Sequence, residues 1–303
     1  MINSQMPKLM PGDSIGIVAP ARKVTKDDLS PFVDWCKKQG WKVVYGSHLF
    51  GEFNQFSGTD LERASDMNEL LNNAEVKAIF CARGGYGAAR IVDIIQWEVL
   101  AKNPKWICGY SDVTVFHSHI QQVLKMPSLH CFMPISLLQY DSNSLEKSLK
   151  LTADFLCNGE VSFELPDNFN NINIEADQLI GGNLSVLFSL LGSISLPQNN
   201  KNTLLFLEDL DEYLYHIDRM TVGLKRAHFF NQFDAIITGG LTDMKDNTIH
   251  FGKSAVEILQ NHAIGLNIPI YSNFPAGHIE QNFPIPFGIP VKISNNSISF
   301  ATV

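Results

Sequence analysis

A serine, a glutamate and a histidine, far apart in the chain, sit where side chains can do acyl-transfer chemistry. Ser111 lies in Ile107-Cys108-Gly109-Tyr110-Ser111-Asp112, between the apolar run Trp106-Ile107-Cys108 and the helical pattern Val113, Phe116, Ile120. A serine on a sharp strand-to-helix turn raises its hydroxyl above a sheet edge. The amides of the next turn then face the same space, which suits a nucleophile and its oxyanion. Capping of that helix by Ser111 or Asp112 is the plainer alternative. Glu208 and Asp209 follow the apolar run 203–207, where a carboxylate could orient a histidine base or cap a helix. His278 ends Phe274-Pro275-Ala276-Gly277-His278 and is followed by Asn282, Pro284, Pro286 and Gly288, a structured loop at a strand end. His216, in Tyr215-His216-Ile217-Asp218-Arg219, is a weaker alternative base.

The glycine run Arg83-Gly84-Gly85-Tyr86-Gly87 follows the apolar segment 77–82. Glycines let backbone N–H groups approach an anion closely. Gly85-x-Gly87 resembles the opening of a dinucleotide loop, but Arg90 stands where a small residue belongs. A plain tight turn and a loop supplying an oxyanion amide are the other two readings, and the second agrees best with Ser111. The order Ser111, Glu208, His278 is that of the α/β-hydrolases, yet Val113 occupies the place of their elbow glycine. His117 and His119 are two apart on a helix and make a poor metal pair. No H-E-x-x-H spacing occurs.

Strand and helix signals alternate through the first half, which implies a parallel sheet covered on both faces. Strands are predicted at Ser14–Ala19, Trp41–Tyr45, Lys77–Cys81 and 105–109. Helices are predicted around Leu29–Cys36, after a capping box at Thr59–Glu62, over Ala89, Val92, Asp93 and Gln96, and after Ser111. Residues 158–176, polar and Asn-rich, read as a linker between a nucleophile domain at 1–157 and a C-terminal domain at 177–303. Beyond it come Gly181-Gly182-Asn183 before an apolar helix, strands near 204–207, 234–240 and 269–272, and a helix over Ile217–Phe230. A terminal hairpin turns at Asn295-Asn296.

The chain has 303 residues, 45% apolar and 18% charged, with a net charge of −8 and no long basic stretch. That balance is globular and argues against nucleic acid as the main partner. No run approaches the ~20 apolar residues of a membrane span. The N-terminal residues lack the basic and apolar stretches of a secretory leader, so a cytoplasmic location is expected. Of five cysteines, none in a C-x-x-C spacing, four have mostly apolar neighbours and read as buried free thiols rather than disulfides or metal ligands.

Together these segments resemble the LD-carboxypeptidases (muramoyltetrapeptide carboxypeptidases, serine peptidase family S66). The resemblance runs through Pro11–Pro20, Ala82–Gly87, Gly109–Thr114, Gly181–Leu184, Leu207–Asp209, Tyr215–Arg219 and Phe274–His278. It implies Ser111 as nucleophile, His278 as general base, Glu208 as its orienting acid, and an oxyanion hole from Asp112 and the Gly84-Gly85 turn. It also implies a Rossmann-like N-terminal domain, a β-rich C-terminal domain, a site at their interface, and a homodimer. The implied reaction frees terminal D-Ala from a muropeptide in cell-wall recycling, without cofactor or metal. A carboxypeptidase must hold a free carboxylate, for which Arg83 is the candidate beside a structural ion pair. Asn183 could touch substrate or cap its helix.

Two departures fall outside the three residues: His130-Cys131-Phe132-Met133-Pro134 where the family often has His-Gly-Pro, and the acidic Leu210-Asp211-Glu212-Tyr213-Leu214. Related self-immunity peptidases, which cleave peptide-nucleotide antibiotics, and a ligand-binding protein without turnover are the alternative functions.

Overall fold

The computed structural model describes residues 6–139, 142–198 and 202–302. The leader reading of Met1–Gln5 falls outside them. The first half builds strands β1 (Ser14–Val18), β2 (Lys42–Tyr45), β3 (Val76–Cys81), β4 (Trp106–Gly109) and β5 (Ser128–His130). All pair in parallel. Alternation along β3 divides its side chains between the faces. Ala78 and Phe80 enter one apolar cluster with the helices Lys26–Lys38 and Ser142–Asn158, while Ile79 and Cys81 enter another with Asp60–Asn72 and Thr114–His119. The capping box at Thr59 and Glu62 forms as the sequence predicts, and Thr25 with Asp28 makes a second.

The predicted helix over Ala89–Gln96 is much shorter, ending at Ile91. Side chains take over the backbone beyond it. The Trp97 indole donates to the Val92 carbonyl, and Asn68 accepts from the Gln96 amide, both at 2.8 Å. The polar stretch 158–176 contains two strands, β6 (Glu160–Glu164) and β7 (Ile174–Ala176).

A second parallel sheet follows, from β8 (Gln178–Asn183), β9 (Thr203–Leu210), β10 (Ala235–Thr242) and β11 (Ile270–Tyr271). Along β9, Leu205 and Leu207 pack under the helices Leu184–Ser189, Leu214–Arg226 and Ala255–Ile264. Leu204 and Phe206 turn the other way, into the cluster that also holds β1 and β3 side chains. The two sheets therefore share one core. Strand β12 (Ile285–Phe287) then crosses back and pairs antiparallel with β5 at the edge of the first sheet, where Pro286 lies opposite Leu129. An edge tolerates the missing proline N–H. The chain closes with the predicted hairpin, β13 (Val291–Ser294) and β14 (Ser297–Ala301), in a four-stranded antiparallel sheet with β6 and β7. Asn295 and Asn296 both have positive φ, as a two-residue hairpin turn requires.

The four thiols Cys36, Cys81, Cys108 and Cys131 are buried, Cys157 is partly exposed, and all five are free. Among the described residues no helix is long and apolar enough to cross a membrane.

Candidate active site

The first sheet delivers Ser111 at the C-terminal end of β4. Tyr110 is extended, and Ser111 opens a short 3-10 turn, Ser111–Val113, that runs into the helix Thr114–His119. Neither Ser111 nor Asp112 caps that turn by a side-chain bond. Ser111 instead adopts φ 62°, the left-handed region that an L-residue enters at a cost of about 1–2 kcal/mol. The strain aims its hydroxyl into the cleft, and the glycine turn lies against it. A Cβ on Gly84 would sit 3.1 Å from Ser111 Cβ and 3.2 Å from Oγ, tighter than ordinary contact, so a larger residue would push on the serine. The Gly84 and Gly85 amides have no hydrogen-bond acceptor among the described residues. The Asp112 amide lies in the first turn of its helix, where N–H groups lack intrahelical partners.

The second sheet delivers the carboxylate and imidazole of Glu208 and His278. Glu208, near the end of β9, is fully buried, and its Oε2 accepts from His278 Nδ1 at 2.6 Å and from the His278 amide at 3.3 Å. Because Nδ1 is the donor here, Nε2 is the nitrogen left to accept a proton. Burial lowers the His278 pKa, but the Glu208 charge and hydrogen bond, with Asp209 behind them, outweigh it and raise it above the usual value. Gly277 makes the approach possible: a Cβ there would lie 2.8 Å from Glu208 Cβ. Asn282 holds the loop by accepting from the Gly277 amide at 2.9 Å. Tyr110 packs its ring on His278, centroids 4.7 Å apart, which brings the Ser111 turn against the imidazole.

Ser111, Asp112, Gly84, Gly85, Arg83, Asn183 and His278 all line one pocket of about 790 Å³ at the junction of the two sheets. Ser111 Oγ has no hydrogen-bond partner among the described residues. Catalytic bonds of this kind often tighten only in the substrate complex. Arg83 is half-buried, and its guanidinium has no hydrogen bond or ion pair among the described residues. Asn183 caps the helix Leu184–Ser189: its Oδ1 accepts from the Val186 amide and Ser185 hydroxyl, and its Nδ2 donates to Asp209. His216 does not line the pocket; it is bound to Glu212 at 3.0 Å.

Sequence reasoning missed several supports. Thr114 Oγ1 accepts from the Asn183 amide at 3.0 Å and so ties the serine helix to β8. Arg63, 1% exposed, reaches the Gly87, Gly58 and Pro20 carbonyls beside the glycine turn. In sequence it is only one end of an i, i+3 pair with Asp60. Asp209, which the sequence offers as a cap or an orienting acid, is buried and accepts from the Ser185 amide in the first turn of its helix and from the Leu210 amide at the end of β9. Burial, reinforced by the Glu208 charge, pushes its pKa up to about 7 despite these bonds. His117 and His119 are satisfied internally, bound to Ser128 and Gly109 and to Ser195.

Residues 15–131 match the LD-carboxypeptidase N-terminal domain, and residues 177–293 match the LD-carboxypeptidase C-terminal domain. The chain belongs to the LD-carboxypeptidase family. A probable murein peptide carboxypeptidase of Bacillus subtilis is 29% identical over 292 residues, covering 95% of this chain and 90% of that protein. The murein tetrapeptide carboxypeptidase of Pseudomonas aeruginosa is 25% identical, with 94% of each chain covered. Among solved structures, the microcin C7 self-immunity protein MccF superposes with a TM-score of 0.87 at 23% identity, over 99% of this chain and 98% of that one. That last likeness speaks for the fold alone.

Proposed function

We propose that this family member is a serine carboxypeptidase that hydrolyses the bond between an L-centred diamino acid and terminal D-Ala in a muropeptide tetrapeptide. The observation that carries the reading is the buried Glu208–His278 bond at 2.6 Å in the pocket that also holds Ser111 and the glycine turn. The murein substrates in the names of two relatives support the same class. Cytoplasmic peptidoglycan recycling and a homodimer belong to this proposal.

In this mechanism His278 Nε2 takes the Ser111 proton as Oγ attacks the carbonyl carbon. Glu208 stabilises the imidazolium through Nδ1–H. The tetrahedral oxyanion is held by the Asp112 amide and by Gly84 or Gly85. Loss of one such donor removes about 3–4 kcal/mol of transition-state stabilisation. Collapse passes the proton from His278 to the leaving D-Ala nitrogen, and water resolves the acyl-enzyme through the same base. Arg83, in the pocket wall and unpaired among the described residues, is suited to grip the D-Ala carboxylate bidentately. Asn183 caps its helix through Oδ1, and the second Nδ2 hydrogen is the group it would offer a substrate from the pocket wall.

Incubation with UDP-MurNAc-tetrapeptide, followed by mass spectrometry of released D-Ala, tests the reading. Tripeptide from the wild type and none from Ser111→Ala is the expected result. No release by a folded wild type contradicts it, and a parallel arm with a peptide-nucleotide then tests the self-immunity alternative.

A further inference from the structure

Asp112 enters the mechanism only through its amide, yet its side chain is the more unusual feature. The carboxylate is 4% exposed, and its Oδ2 accepts from the Ala88 amide at 2.8 Å. Burial raises its pKa, while the Ala88 and Gly87 amides and the Arg63 charge pull the other way. Ala88 is the residue at which the glycine turn ends. On the other side of that point, Arg63 donates to the Gly87 carbonyl at 3.1 Å and to Pro20. The end of the turn is therefore gripped twice, by a carboxylate on the Ala88 N–H and by a guanidinium on the Gly87 carbonyl. Among the described residues the Gly84 and Gly85 amides have no hydrogen bonds of their own to fix them.

We propose that the Asp112 side chain, backed by Arg63, is a positioning residue that locks the glycine turn to the nucleophile helix and so sets the spacing of the oxyanion amides. The inference rests on the reading of Ser111 as nucleophile. Its physical content is that one short side chain joins both halves of the hole. The residue that lends its own amide also fixes the turn that lends the other. Oxyanion donors act by being held in place beforehand, and sub-ångström displacement is enough to weaken them. The plainer role for Asp112 is a cap for the four-residue helix Ala88–Ile91, which would affect stability alone.

The test is the rate at which a fluorophosphonate probe modifies Ser111, followed across pH in the wild type, Asp112→Asn and Arg63→Lys. This reaction uses the nucleophile, base and oxyanion hole without the natural leaving group. Asp112→Asn keeps the size and one acceptor oxygen but loses the charge. It is expected to slow labelling about 10- to 100-fold at the pH plateau, with the acid limb unmoved. Arg63→Lys is expected to slow it less, in the same manner. Labelling of folded Asp112→Asn within about two-fold of wild type overturns the proposal. So does a displaced acid limb, which would place the effect on His278. Failure of both variants to fold, or a wild type in which Ser111 is not modified, also overturns it. Normal labelling of the wild type without D-Ala release from tetrapeptide strikes the proposed substrate and leaves this inference standing.

Discussion

The two parallel sheets bring opposite physics to one pocket. The first offers strain and exposed backbone: Ser111 at φ 62°, on a turn pressed against glycines whose amides have no acceptor among the described residues. The second offers burial and charge: Glu208 with no exposure, an imidazole bonded to it, and Asp209 one residue on. A nucleophile has to project and be met by N–H groups, which demands unusual backbone. A base has to be held in one tautomer at a tuned pKa, which demands a buried carboxylate. Substitutions on the first side should therefore change rate through geometry, and those on the second through pH dependence.

The largest effect should come from Ser111→Ala, with a fall of about 10⁶-fold in kcat for D-Ala release, read in a discontinuous assay. Glu208→Gln should lower kcat about 10⁴-fold. It should also move the acid limb of the rate profile to lower pH. The base must be neutral to accept the Ser111 proton, so activity falls as pH drops through the His278 pKa. Glu208 is what raises that pKa against burial. An acid limb unchanged in Glu208→Gln would break the division between the sheets. Gly84→Ala should cost about 10- to 100-fold in kcat through geometry alone, since its Cβ would lie 3.1 Å from Ser111 Cβ. Its pH profile should keep the wild-type shape.

Stability effects are smaller. Ser111→Gly should abolish activity yet stabilise the fold by about 1 kcal/mol in urea titrations, because glycine accepts positive φ without strain. Equal or lower stability would mean the turn is not strained. Asp209 should give the mildest signal. Its folded pKa of about 7 lies above the unfolded value, so its contribution to stability is greatest at low pH and is lost as pH rises towards 7. Asp209→Asn should compare more favourably with wild type at pH 8 than at pH 5, by about 1–3 kcal/mol. No difference between the two conditions would remove Asp209 from the electrostatics of the second sheet.

Much of this was legible in the sequence, for reasons that differ along the chain. Strands β1, β3, β4 and β9 are buried on both faces and read as continuous apolar runs. Strands β5 and β12 were not legible, because three residues carry no periodicity and Pro286 argues against a strand. The strands in 158–176 were hidden by polar residues on a sheet with one solvated face, as the alternating burial of Glu160–Glu164 reflects. Ser111, Glu208 and His278 could be singled out because each follows an apolar run that reads as a strand, with glycines beside Ser111 and His278. The grip of Asp112 and Arg63 could not, since its partners are backbone groups at Gly87 and Ala88 that carry no residue signature. Asn183 was legible only as two alternatives that are not exclusive: its Oδ1 makes the helix cap, and the residue also lines the pocket.

The central claim is that the two sheets meet to make Ser111 the nucleophile. Stepwise inactivation by a fluorophosphonate tests it, with adducts mapped by peptide mass spectrometry and D-Ala release measured on the same samples. The account predicts one adduct, at Ser111, with activity falling in proportion to its occupancy and no adduct in His278→Ala. Modification of a different residue, or D-Ala release that persists after Ser111 is fully modified, would contradict it.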